Sequence, residues 1–130
     1  MRLKYHKNLT ESRWFGMKLI EQMANIGSEV ERTIIWKNKG DKKYQELAFE
    51  RALELVDFTL EDPKNLKRLK EICRMREMLV DWHFDNDYCS SDRSWQKYFF
   101  PLITPPESNL FSQDRKIINF MKNFYAGKRD

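Results

Sequence analysis

The sequence predicts an all-α protein, an up-and-down bundle of three long helices completed by one or two shorter C-terminal ones. Three observations carry this. Apolar residues recur at spacings of three and four along most of the chain, and no stretch shows the period of two that marks a half-buried strand. The composition is rich in Leu, Glu, Lys and Arg, with four Gly and four Pro in 130 residues, a balance that favours helix. Capping residues and breakers fall where the periodic stretches stop.

The first helix is expected from about Ser12 to Lys39, with Thr10 or Ser12 as N-cap and Gly40 in the permissive position after its end. Phe15, Leu19, Ile20, Met23, Ile26, Val30 and Ile34 form its apolar side, and Lys18, Glu21, Asn25, Ser28 and Arg32 its polar side. Gly16 and Gly27 lie within or beside the apolar stripe. A helical glycine costs about 1 kcal/mol against alanine, which close approach of a neighbouring helix can offset.

Asp41 caps a second helix carrying Tyr44, Ala48, Phe49, Ala52, Leu53, Val56 and Leu60 and ending near Glu61. So short a link makes the first two helices an antiparallel hairpin. Asp62-Pro63 reads as N-cap and first position of a third helix, which buries Leu66, Leu69, Ile72, Cys73, Leu79 and Val80 and ends near Phe84. A polar loop from Asp85 to Asp92 leads to a short helix holding Trp95, Tyr98, Phe99 and Leu102, stopped by Pro101 and Thr104-Pro105-Pro106. Ser112 opens a last amphipathic helix with Ile117, Ile118, Met121, Phe124 and Tyr125, ended by Gly127. The whole reads as one domain over 1–130, with a core from 12 to 103 and a helical extension from 108 to 127.

Charge and cysteine content narrow the function classes. The 24 basic and 20 acidic residues give +4 and are mostly interleaved, which permits an anionic partner without demanding one. Cys73, within an apolar stripe, and Cys89, in a polar loop, do not make a disulfide framework. The N-terminus lacks the apolar core of a signal peptide, and no apolar run approaches the roughly 18 residues of a membrane span. A cytoplasmic protein with no membrane partner is expected.

Signals for chemistry are sparse. Arg76 and His83 stand two helical turns apart and share a face of the third helix. A buried guanidinium there calls for a carboxylate, which Glu29, Glu50 or Glu54 can supply. The pair resembles the Arg and His of HEPN ribonucleases. That resemblance implies an arginine steadying the scissile phosphate and a histidine acting as acid or base. The spacing is long for that family, and Glu77 follows the arginine, so a core Arg–Glu pair with His83 at the helix margin is the better reading of these residues.

No Glu-x-x-His pair marks a di-iron centre, and the cysteines and histidines are wrongly spaced for zinc. Asp85, Asp87 and Asp92 lack the central glycine and terminal glutamate of a calcium loop. Neither a metal nor a cofactor is expected.

Aromatic residues, 14% of the chain, point to surfaces instead. Trp14 and Trp36 fall on the polar side of the first helical wheel and Trp82 is displaced from the third helix's main stripe. These are expected interface residues for a homo-oligomer or another protein partner. Lys67, Lys70 and Arg74, spaced by three and four, together with Lys128 and Arg129, could follow the phosphates of RNA or DNA.

The stretches from Glu21 to Arg32 (EQMANIGSEVER), Ala48 to Leu55 (AFERALEL) and Arg68 to Glu77 (RLKEICRMRE) together resemble a family of short, uncharacterised bacterial helical proteins. The resemblance covers about Arg13 to Phe100 and implies a soluble bacterial protein. In architecture alone the chain is similar to the small basic helical bundles that assist reverse transcriptases of diversity-generating retroelements. Those are oligomers that bind RNA and the polymerase. The expected function is a non-enzymatic interaction or accessory protein, with nucleic-acid binding and then ribonuclease activity as alternatives.

Overall fold

Gly16, Met17 and Lys18 interrupt what periodicity alone reads as one helix from Ser12 to Lys39. The chain forms α1, Glu11–Phe15, and then α2, Leu19–Asn38. Thr10 caps α1 by accepting from the Arg13 N–H, and the Lys18 N–H donates to Glu21 Oε1 at 2.9 Å to start α2 afresh. This computed structural model describes residues 3–103. The expected helix from Ser112 to Gly127, the Thr104-Pro105-Pro106 stop, Lys128 and Arg129 lie outside the described residues.

The break has a consequence for packing. It turns α1 relative to α2, so Trp14, expected on a polar face, is only 2% exposed and lies in the core. Its ring stacks with Phe58 at 6.2 Å between centroids.

Asp41 caps α3, Lys42–Leu60, by accepting from the Tyr44 N–H, and Gly40 takes the positive φ of +76° that the turn requires. Asp62 caps the next element as expected, but the first turns, Pro63–Arg68, are 3₁₀. The α-helix α4 runs only over Leu69–His83. That tighter winding moves the buried face. Ile72, Met75, Met78, Leu79 and Trp82 enter the core, whereas Leu66 is 69% exposed and Cys73 is exposed, against expectation.

Ser91 and Ser94 cap each other ahead of α5, Asp92–Ile103, each hydroxyl accepting from the other's backbone N–H. Pro101, expected to stop this helix, lies inside it. Near a C-terminus it removes one intrahelical hydrogen bond without disrupting the turns before it.

All regular structure among the described residues is helical. Cross-helix contacts show how the elements run. Trp36 stacks on Tyr44 while Gln22 meets Asn65, so α2 and α3 are antiparallel. Glu46 meets His83 and Asp57 meets Arg76, so α4 runs antiparallel to α3. Lys37 reaches Asp92 while Gly27 faces Phe99, so α5 runs antiparallel to α2. Gly27 is where that approach is closest: a Cβ there would lie 2.7 Å from the Phe99 Cβ.

One end of the core is polar. Gln22 Nε2 donates to the Trp14 carbonyl and to Asp62 Oδ2, both at 2.8 Å. Its Oε1 accepts from Asn65 Nδ2, which also donates to the Thr59 carbonyl, both at 3.0 Å. The Trp14 indole N–H donates to Thr59 Oγ1 at 3.2 Å. Gln22, Thr59, Asp62 and Asn65 are all buried.

Removing one partner from such a set leaves others desolvated and unpaired, at about 1–3 kcal/mol for each stranded group. Gln22→Leu keeps the volume but takes one hydrogen-bond partner each from the Trp14 carbonyl, Asp62 and Asn65. It is expected to lower unfolding free energy in urea by about 3 kcal/mol; a loss below about 0.5 kcal/mol would contradict this account of the core.

Candidate interaction surface and polar cleft

The residues singled out by sequence are distributed rather than gathered. Arg76 Nε donates to Asp57 Oδ1 at 2.7 Å, so its carboxylate partner comes from α3 and is none of Glu29, Glu50 or Glu54. His83 makes its own pair, Nε2 to Glu46 Oε1 at 2.9 Å, with its ring stacked on Phe49 at 3.9 Å and its side chain 2% exposed. Arg76 and His83, the pair the ribonuclease alternative rests on, are thus each held by a different α3 carboxylate.

The basic stripe is divided as well. Lys67 sits in the 3₁₀ turn and Lys70 in α4, so helical spacing does not align them. Both are exposed. Arg74 is half-buried, 3.5 Å from Glu77 and 5.7 Å above the Tyr88 ring. In the polar loop, Asp81 organises the backbone, accepting from the N–H groups of Asp87 and Tyr88 at 2.9 and 3.1 Å. Asp92 pairs with Lys37 and accepts from the Trp82 indole. Among the described residues no group of three or more His, Cys, Asp or Glu is arranged to hold a metal ion. No helix among them is long and apolar enough to cross a membrane.

The tryptophans divide too. Trp14 and Trp82 are core residues, which corrects their expected place on a surface. Trp36 stays half-buried, stacked on Tyr44 at 4.8 Å with Lys39 Nζ 5.0 Å above its ring. The end of α2, the start of α3 and the end of α4 meet here. Ile35, Tyr44 and Phe84 are all exposed at this end, Phe84 by 65%. These side chains lie near the ends of their helices, and sequence patterning, fixed on the tryptophans, located only Trp36 among them.

A second feature escaped the sequence reading altogether. The N-terminal arm folds back so that the backbone N–H groups of Lys4, Tyr5 and His6 converge on the Glu54 carboxylate, with the His6 Nδ1 2.7 Å from Glu54 Oε1. The other ring nitrogen lies 3.7 Å from Glu29 Oε2, which also takes Arg32 at 2.9 Å and has Arg51 at 3.9 Å. Glu29 and Glu54 occupy apolar-side helix positions, and buried carboxylates need such partners. The signal available in sequence was an acidic residue interrupting each apolar stripe. Between the arm, α1 and α2 this arrangement leaves a cleft of about 410 Å³ lined in part by His6, Arg13, Asn25, Ser28, Glu29 and Arg32.

Burial alone would raise the pKa of Glu54, but the hydrogen bonds from Tyr5, His6 and Lys4 outweigh it and hold the carboxyl below its ordinary value. Burial likewise opposes ionisation of Asp62, and Lys64 and Gln22 outweigh it. With folded values depressed, the unfolded chain binds more protons once the medium turns acidic. The stability these groups contribute is therefore complete above the ordinary carboxylate range and disappears as pH falls through the folded values. The thermal midpoint should be flat from neutrality to about pH 5 and drop below it. Glu54→Gln should start lower at neutral pH and lose less on acidification. An acid limb as steep as in the native chain would show that Glu54 is not clamped by the arm.

No family model, curated protein or solved structure matches the chain, so the chemistry of these groups carries the functional reading.

Proposed function

We propose that the chain is a non-enzymatic interaction protein of the cytoplasm that self-associates and presents a helical surface to its partner. An up-and-down bundle of three long helices, with shorter ones beside them, is its rigid frame. The observation that supports this best is the exposed apolar set Ile35, Tyr44 and Phe84 with half-buried Trp36 at one end. Soluble domains rarely leave such side chains together in water unless another surface covers them, and aromatic residues dominate the centres of protein interfaces. The set sits on helix ends fixed by the Trp36–Tyr44 stack and the Phe49–His83–Phe84 contacts, so little order is lost when a partner arrives.

The nucleic-acid alternative draws less support, because Arg74 is engaged by Glu77 and Tyr88.

Light scattering on the full chain tests the proposal. The native protein is expected to be larger than a monomer, and a Tyr44→Ser, Phe84→Ser double variant to be monomeric with unchanged helical circular dichroism. A native chain that remains monomeric at high micromolar concentration, or a double variant that associates as before, contradicts it.

A further inference from the structure

The N-terminal arm is fastened at one point where a single proton decides how many bonds form. Both ring nitrogens of His6 face carboxylates: Nδ1 lies 2.7 Å from Glu54 Oε1 on α3, and Nε2 lies 3.7 Å from Glu29 Oε2 on α2. A carboxylate only accepts, whereas a neutral imidazole has one N–H to give. The neutral ring therefore turns a bare nitrogen toward one of the two, while the imidazolium donates to both. The His6 side chain is 18% exposed and that of Glu54 8%, so water replaces little of what is lost when the proton leaves. The other charges nearby supply no substitute. Arg32 of α2 and Arg51 of α3 both lie on Glu29 Oε2 and offset its charge, which leaves Glu54 as the ring's main partner. Glu50 takes the Tyr5 hydroxyl, and Lys4 Nζ lies over the Tyr5 ring. Lys7 and Arg13 of α1 line the cleft under the arm. Neither forms an ion pair with Glu54 among the described residues.

We propose that the arm is a proton-operated strap over this cleft: the imidazolium form of His6 fastens it to Glu54 and Glu29, and loss of that proton loosens it. The rest of the fastening is made by the backbone N–H groups of Lys4, Tyr5 and His6 on Glu54, and it needs that carboxylate ionised. The strap therefore has a limit on each side. As pH rises the ring gives up its proton and closure weakens; histidine is the side chain whose ordinary charge change falls between about pH 5 and 8. As pH falls Glu54 takes up a proton, and its donors lose the charge that draws them. Tyr5, His6, Lys7, Asn8 and Leu9 line the cleft. Release of the arm thus removes one wall of the cleft and uncovers Glu29 and Glu54.

Hydrogen exchange on the unaltered full chain tests this. The opening constant of the arm is obtained from exchange of the Tyr5 and His6 amides, divided by their intrinsic rates, from about pH 5.5 to 9. The ring protons of His6 and His83 are followed by NMR in the same samples. The opening constant is expected to rise at least about tenfold in step with loss of the His6 proton. Central amides of α2 should show no such step. His6→Gln keeps a donor but has no proton to lose, so its arm is expected to open to the same extent at every pH in that range. An opening constant that stays level across the range, or that follows His83 instead, would overturn the strap. So would a rise shared equally by the centre of α2, or a step that persists in His6→Gln.

Discussion

The buried amide of Gln22 is the constraint on which the rest of the structure depends. It lies where α1, α2, the end of α3 and the 3₁₀ turn meet, and it bonds to Trp14, Asp62 and Asn65 at once. Apolar burial is non-directional and would tolerate many rotations of these elements against one another. The hydrogen bonds are directional and allow few, because each misplacement leaves desolvated polar groups unpaired. Asp62 shows the economy of the arrangement. The carboxylate that caps the 3₁₀ turn through the Lys64 N–H also receives the Gln22 amide, and Lys64 Nζ adds a third donor to it.

From that fixed end the two surfaces of interest follow. α2 and α3 leave the network as an antiparallel pair and carry Glu29 and Glu54 to the level where the N-terminal arm crosses them. The arm is held by Glu54 taking backbone N–H groups, with side-chain anchors from His6 and from Tyr5, whose hydroxyl donates to Glu50. Further along, the same pair ends in the Trp36–Tyr44 stack, and α4 returns to place Phe84 against Phe49. The polar cleft and the apolar end are thus successive levels of one frame: the first is shaped by buried charge, the second by aromatic rings left uncovered.

How far the sequence revealed this depends on whether a feature is local. Asp41 and Gly40 specify a turn through their own side chain and φ, and Asp62-Pro63 specifies a start. Ser91, near the end of the polar loop, caps another start. The helical stripes of α2 and α3 were legible because they repeat over long, unbroken segments. Trp14 was not, because its orientation depends on the interruption at Gly16–Lys18, and a helical wheel drawn through that interruption carries the wrong phase. The error on α4 has the same origin: the 3₁₀ turn shifts the face that Leu66 and Cys73 were read onto. Arg76 was rightly matched to a carboxylate on a neighbouring helix, but the choice of Asp57 over the glutamates is tertiary geometry. The arm's attachment to Glu54 joins residues about fifty positions apart through backbone groups, which leave no pattern in a sequence.

Native-state hydrogen exchange measures most directly whether the Gln22 network binds its surroundings into one cooperative unit. The backbone amide of Trp14, hydrogen-bonded to the Thr10 carbonyl in the short α1, should exchange with the same opening free energy as the central amides of α2 and α3, because α1 cannot leave without stranding Gln22 and Thr59. Exchange of that amide through a local opening several kcal/mol below the global value would mean that α1 merely rests on the bundle, and that the network does not hold the fold together.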